Sequence, residues 1–292
     1  MRWTRGGSRK NVEDRRAQSP SGMGGMGGMS VGRMGIGGMV LLLVLSLVFG
    51  QDLITGGGGM PLNPGPGAST PAGAPITESA EEAELVEFVT FVLNDAQEVW
   101  ATVLPRYGDQ YRDARLVLFR GAVQSGCGNA SAAMGPFYCP LDERVYIDLG
   151  FYDELHRQFG ATGDFAQAYV LAHELGHHVQ HVVGTDSRVR QLQESNPGQA
   201  NQLSVRLELQ ADCYAGVWAN STQQRRLLEA GDLEEALRAA SAIGDDRIQQ
   251  QMTGSVRPES FTHGTAQQRA TWFNRGFETG SPDACDPFNN PI

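Results

Sequence analysis

Four of the chain's six histidines fall within nine positions: His173, His177, His178 and His181. Neutral imidazole is the commonest protein ligand for a metal, so the spacing of these four is the first thing to read. His173 and His177 are four residues apart and stack on one face of a helix. Glu174 lies about 100° round the same helix, close enough to reach a water held between the two rings. The pentapeptide His173-Glu174-Leu175-Gly176-His177 therefore offers two nitrogen donors to one zinc ion and a carboxylate base beside the open position. His177 and His181 repeat the spacing, but the residue after His177 is His178, which cannot act as a carboxylate base. His173 and His177 are the expected ligands, with His178 and His181 off the metal-facing side. The competing reading is a buried helix whose histidines are only hydrogen-bonded, and it weakens if a third ligand exists elsewhere.

Catalytic zinc usually takes three protein ligands and a water. A metzincin would place Gly and His at the positions held here by Gln180 and Val183, so that class is excluded. The other solution is a Glu from a following helix. Residues 203–218 read as that helix, and within it Glu208 and Asp212 lie four apart on one face. Glu208 would complete the zinc sphere, while Asp212, one turn on, would accept the N–H of a ligating His and fix its tautomer. A solvated acidic face is the alternative. Leu207, Leu209, Ala211 and Cys213 argue against it, because carboxylates in an apolar segment need a cation.

These side chains need elements to hold them. Residues 165–183 carry no Pro and repeat apolar residues at helical intervals, with Asp164 as expected N-cap and Gly184 as stop. Residues 81–104 read as an amphipathic helix ended by Pro105. Residues 115–123 read as a strand, 137–139 with 144–149 as a hairpin, and 152–159 as a helix. Asp232 and Glu235 suggest a capping box for a helix reaching Ile243. A small sheet followed by helices is an α+β order.

The remainder of the chain divides by composition. Its 292 residues carry a net charge of −10, but residues 1–33 hold seven Lys/Arg against two acids, or +5, leaving −15 for the rest. That balance excludes a generally basic nucleic-acid surface. Residues 1–33 are Gly/Met-rich, expected to be disordered and to form a basic cytoplasmic tail. Residues 34–51 carry no charge and are expected to anchor the chain as a single transmembrane helix, at the short end of the usual range. Residues 52–77 are a Gly/Pro-rich linker, and 78–292 the globular domain. With all seven basic residues before the apolar run, the charge rule puts the tail in the cytoplasm and the domain in the periplasm or outside.

The four cysteines fit an oxidising compartment. Cys127 and Cys139 bracket a small-residue loop that closes easily, which leaves Cys213 and Cys285 to tie the C-terminal tail to the Glu208 helix. This is the favoured one of three possible pairings; no C-x-x-C pair supports a cysteine zinc site.

HELGHHVQ and RLELQADCYAGVW, together with NVEDRR, GPFYCP, YIDLGFYDEL, IGDDRIQQQ and SFTHGTAQQR, resemble the YpfJ-type neutral zinc metallopeptidases of bacteria over nearly the whole chain. More distantly, Glu208-x-x-Ala211-Asp212 resembles the third-ligand helix of HtpX-like gluzincins. The resemblance implies a zincin-type fold, one Zn2+ per chain and hydrolysis of peptide bonds in a peptide or unfolded protein. His263 and Arg269 resemble that group's H-P-x-x-x-x-R element, which implies an oxyanion-stabilising role; Gly264 stands here in place of the Pro. On physical grounds Arg269 would alternatively balance the carboxylates near zinc, and His263 cap a helix. The rival functions are a catalytically silent zinc-binding scaffold and a non-enzymatic peptide-binding module of the cell envelope.

Overall fold

Residues 80–103 repeat Val86, Val89, Leu93, Ala96 and Trp100 on one side, and form helix α1 (Ala80–Val103), its N-terminus capped by the Ser79 side chain accepting the Glu82 N–H. The computed structural model describes residues 1–18, 78–159 and 163–292. The apolar run 34–51 and the linker 52–77 lie outside the described residues. Among the described residues, no helix is long and apolar enough to cross a membrane.

The fold is mixed α+β and mostly helical. A four-stranded sheet has the order β1-β2-β6-β5, and β3 (Ala122–Ser125) pairs separately with β4 (Gly128–Ser131). In the larger sheet β1 (Val12–Asp14), β2 (Arg115–Phe119) and β6 (Arg144–Asp148) run parallel, while β5 (Phe137–Cys139) lies antiparallel to β6 at the edge. The hairpin 137–149 is as the sequence predicts. The expected strand 115–123 is instead two strands, because Gly121 turns the chain at φ 72° and its N–H donates to Asp148 Oδ2 at 2.7 Å.

The helices follow in order: α2 (Gly150–Phe159), α3 (Asp164–Val182), α4 (Thr185–Ser195), α5 (Ala200–Gln224), α6 (Asp232–Ala242), α7 (Asp245–Thr253) and α8 (Ala266–Thr279). The apolar side of α1, the strand residues Leu116, Leu118, Val145 and Ile147, and Phe165, Tyr169 and Leu175 of α3 share one core. Asp164 is the first residue of α3 rather than its cap; Gly163 holds that position.

Close helix contacts set the site. A Cβ on Gly176 would meet the Ala211 carbonyl oxygen at 2.8 Å, so the glycine inside the histidine motif lets α3 lie against α5. Further along α5, a Cβ on Gly216 would sit 2.0 Å from the Phe273 carbonyl oxygen, and one on Gly276 1.9 Å from that of Cys213. Helices α5 and α8 thus cross backbone to backbone, which no larger residue at these two positions permits.

Cys127 pairs with Cys139 and Cys213 with Cys285, closing sequence separations of 12 and 72. Loop-entropy arguments assign them about 3 and about 4 kcal/mol.

Two expectations are corrected. Residues 1–18 are not disordered: β1 joins the sheet, Met1 is buried in the core, and Trp3 packs edge-on against Phe88 at 5.4 Å. The Asp232/Glu235 capping box does not form. Asp232 instead accepts from the Met1 ammonium at 3.3 Å and from the Glu229 N–H, while Glu235 accepts from the Phe165 N–H at 3.2 Å. A buried ammonium is a stronger donor than a helix amide, and α6 starts from Gly231 without a side-chain cap. A full capping box does occur at Thr265 and Gln268, opening α8.

Candidate metal centre

His173 and His177, on α3, face Glu208 on α5. His173 Nε2 lies 3.1 Å from Glu208 Oε2, and His177 Nε2 lies 3.4 Å from Glu208 Oε1. One donor atom from each of the three residues falls within 4.8 Å of the others. Tetrahedral zinc with ligands at about 2.0–2.1 Å separates them by about 3.3 Å, so the spacing fits.

The charges fit as well. Burial alone would push His173 down, but Asp212 and Glu208 outweigh it and hold its pKa up at about 9. His177 is likewise raised: burial opposes the charged form, and Glu208 overcomes it. Burial would raise Glu208, yet His177, His263 and His173 hold it well below the carboxylate range. The three donors therefore demand positive charge at their meeting point. A divalent cation would supply that charge, displacing any proton the imidazoles carry.

Both histidine donors are oriented from behind. His173 Nδ1–H donates to Asp212 Oδ1 at 2.8 Å, leaving Nε2 to face Glu208. Asp212 is fully buried and also accepts from the Tyr169 hydroxyl at 2.5 Å and from Arg269 Nε and Nη2 at 2.8 and 2.9 Å. Burial would raise its pKa, and Arg269 and His173 reverse that. His177 Nδ1–H donates to Gln180 Oε1 at 2.9 Å. The Gln180 amide is itself fixed, because its Nε2 donates to the Leu207 carbonyl at 2.7 Å and to Gln210 Oε1 at 3.1 Å. Gln210 Nε2 in turn donates to the Cys285 carbonyl at 2.8 Å.

The remaining histidines lie off the metal side, as the spacing predicts. His178 is fully buried: its Nε2–H donates to the Arg112 carbonyl at 2.6 Å and its Nδ1 accepts from the Tyr138 hydroxyl. Burial holds its pKa down, so it stays neutral. His181 donates through Nδ1 to Asp186 at 2.8 Å.

Glu174 and the three donor residues line a cavity of about 410 Å³, together with Phe137 and Tyr138 of the edge strand. His263 and Arg269 line it too, but their situations differ. Arg269 is only 2% exposed and spends its donors on Asp212, Tyr169 and the Ile243 carbonyl, so its geometry favours the charge-balancing alternative. His263 Nδ1 lies 3.2 Å from Asp245 Oδ1, and Asp245 Oδ2 accepts the backbone N–H groups of Thr262, His263 and Gly264. Burial would lower the His263 pKa, and the Glu208 and Asp245 charges raise it. Gly264 has φ 90°, which proline's ring forbids; the backbone here departs from the motif that the sequence resembles.

Sequence reasoning missed Tyr169, Gln180, Gln210 and Asp245. Gln180 was visible only as a residue that ruled out another class. Asp245 stands at the start of a helix, where an acidic residue ordinarily means no more than a favourable dipole contact.

Comparison with known proteins agrees with the geometry. YpfJ of Escherichia coli strain K12, an uncharacterized protein, is 48% identical over 306 aligned positions that cover all of both chains. An uncharacterized protein of Mycobacterium bovis is 45% identical over 207 positions, 67% of this chain and 68% of its own. No solved structure matches. The sequence model of a family described as "Putative neutral zinc metallopeptidase" matches residues 1–288, and the chain belongs to that family.

Proposed function

We propose that this chain is a zinc-dependent metallopeptidase of zincin type that hydrolyses peptide bonds in extended or unfolded protein segments. The observation that carries the reading is the convergence of His173, His177 and Glu208 from two helices, with Glu174 beside them on a cavity. His173, His177 and Glu208 would hold a zinc ion there, which would supply an acidified water and Lewis acidity towards a scissile carbonyl. Glu174 accepts the water's proton and returns it to the leaving amine. His263, steadied by Asp245, donates a hydrogen bond to the oxygen that gains charge. Arg269 keeps Asp212 ionised, so that Asp212 holds the His173 tautomer. The edge strand β5 contributes Phe137 and Tyr138 to the cavity wall, and a strand at a sheet edge suits an extended backbone better than a folded surface. Two disulfides favour an oxidising, extracytoplasmic compartment for the substrate.

The direct test is cleavage of an unstructured protein by the purified chain. Activity is expected to vanish with a chelator and to return with about one zinc per chain. A fully zinc-loaded protein that cleaves no extended peptide would move the assignment to a silent scaffold; one that binds no stoichiometric metal would make it a peptide-binding module.

Asp245→Asn tests the role given to His263. The substitution keeps the shape but removes the charge facing the imidazole, so kcat should fall by about 10-fold or more, in the range of lost supporting contacts, with KM and zinc content nearly unchanged. His263→Ala should lower kcat further, and combining the two should add little. Additive losses would separate Asp245 from His263.

A further inference from the structure

Helix α2 divides its side chains between the core and the cavity. Tyr152 and Leu155 are buried in the core. Phe151 and Glu154, three residues apart and so neighbours on one side of the helix, are half-buried and line the cavity of the candidate metal centre. Val170 of α3 lines the same cavity. It precedes Glu174 by four residues, one turn or about 6 Å along the same face, so the lining continues from the metal centre back along α3.

The walls of this cavity are largely apolar. Beside Phe151 and Val170, Met134 and Phe137 contribute from the chain entering β5, Ile243 from the end of α6 and Ile248 from α7. Gly135 turns at φ 68°, and a Cβ there would lie 3.6 Å from Phe151 Cε2, so this turn covers one edge of the ring.

The charged groups of the lining are mostly committed. Glu208 is one of the three converging donors, and Glu174 is the proposed base. Asp186 accepts from His181 at 2.8 Å and lies 3.7 Å from Arg190 Nη2. Arg269 pairs with Asp212 at 2.8 Å. Both arginines that line the cavity are thus matched to carboxylates. Arg157, three residues beyond Glu154, turns its Nε to the Asp153 carbonyl at 3.2 Å. Among the described residues, Glu154 has no hydrogen-bond or ion-pair partner.

An apolar wall with an unmatched carboxylate suits one kind of side chain, a long aliphatic stem that carries a cationic head. A wholly apolar side chain would cover the walls but desolvate Glu154 without pairing it, which costs free energy. An acidic side chain would meet like charge. We propose that Phe151 and Glu154 form a recognition subsite for a lysine or arginine side chain of the peptide, with the stem against the Phe151 ring and the cationic head on the Glu154 carboxylate. This names a substrate class within the peptidase reading and rests on that reading for the cleavage step; recognition of the side chain needs no turnover.

The test uses the zinc-loaded full chain and fluorescein-labelled peptides Gly-Ala-Ala-X-Ala-Ala-Gly, with X as lysine, norleucine, alanine or glutamate. Norleucine keeps the four-carbon stem of lysine without its charge. Binding is read by fluorescence polarisation on the Glu174→Gln variant, and cleavage on the unsubstituted chain. Lysine should bind about 10- to 100-fold more tightly than norleucine, the range of a hydrogen bond to a charged group. Norleucine should bind more tightly than alanine, and glutamate least. Adding Glu154→Gln should bring lysine down to the level of norleucine and leave norleucine unchanged, a split that a merely structural role would not produce. Phe151→Ala should weaken lysine and norleucine together. Equal affinity for lysine and norleucine, or an undiminished lysine preference with Glu154→Gln, would overturn the subsite. Absence of cleavage with the binding order intact would sink the peptidase reading and leave the subsite standing.

Discussion

Glu174→Gln is expected to lower peptidase turnover by about 10²- to 10⁴-fold, the usual contribution of a positioned proton acceptor. Zinc content should stay at about one per chain, because the carboxylate is not among the three donors that converge. The substitution is nearly isosteric and Glu174 is only 8% exposed, so packing of α3 should survive. Metal and turnover must be measured on one sample. Equal turnover by the variant would remove Glu174 as the base; loss of zinc together with turnover would mean that Glu174 helps to hold the ion.

Glu208→Ala should instead strip the metal and abolish activity with it. The change removes one of three donors and the charge that raises both His177 and His173. Its cost should exceed the 10- to 100-fold loss of affinity typical of an outer partner, which is the scale expected for Asp212→Asn. His173→Ala and His177→Ala should behave as Glu208→Ala does. Full zinc retention in Glu208→Ala would reassign the third ligand. Asp212 is poorly placed to take over, since Tyr169, His173 and two nitrogens of Arg269 already occupy its oxygens.

The candidate metal centre was largely legible in the sequence because its geometry is helical. Spacing of four fixes which side chains share a face, so His173 with His177, and Glu208 with Asp212, follow from periodicity alone. Gly176 and Ala211 explain why the two faces approach, and neither needed a role for the motif to be read. What periodicity does not reach is contact between distant segments. The His263–Asp245 pair depends on a loop meeting a helix start eighteen residues away, and Gln210 on a carbonyl 75 residues downstream. The N-terminal segment was misread for a related reason. Composition describes a segment by itself, whereas the order of residues 1–18 comes from carboxylates and a β-strand supplied by the rest of the chain.

The sequence of amides behind His177 has a direction. A primary amide accepts at one end and donates at the other, so a chain of them keeps its polarity once one member is fixed. The Cys285 carbonyl can only accept; Gln210 must therefore turn its nitrogen towards it, Gln180 must follow, and His177 must carry its proton on Nδ1. The choice of which imidazole nitrogen keeps a free lone pair is thus written into two backbone carbonyls, that of Leu207 on α5, which fixes Gln180 directly, and that of Cys285 in the C-terminal tail. What passes along these bonds is an orientation rather than an energy: a binary setting, held by backbone groups and read at the candidate metal centre.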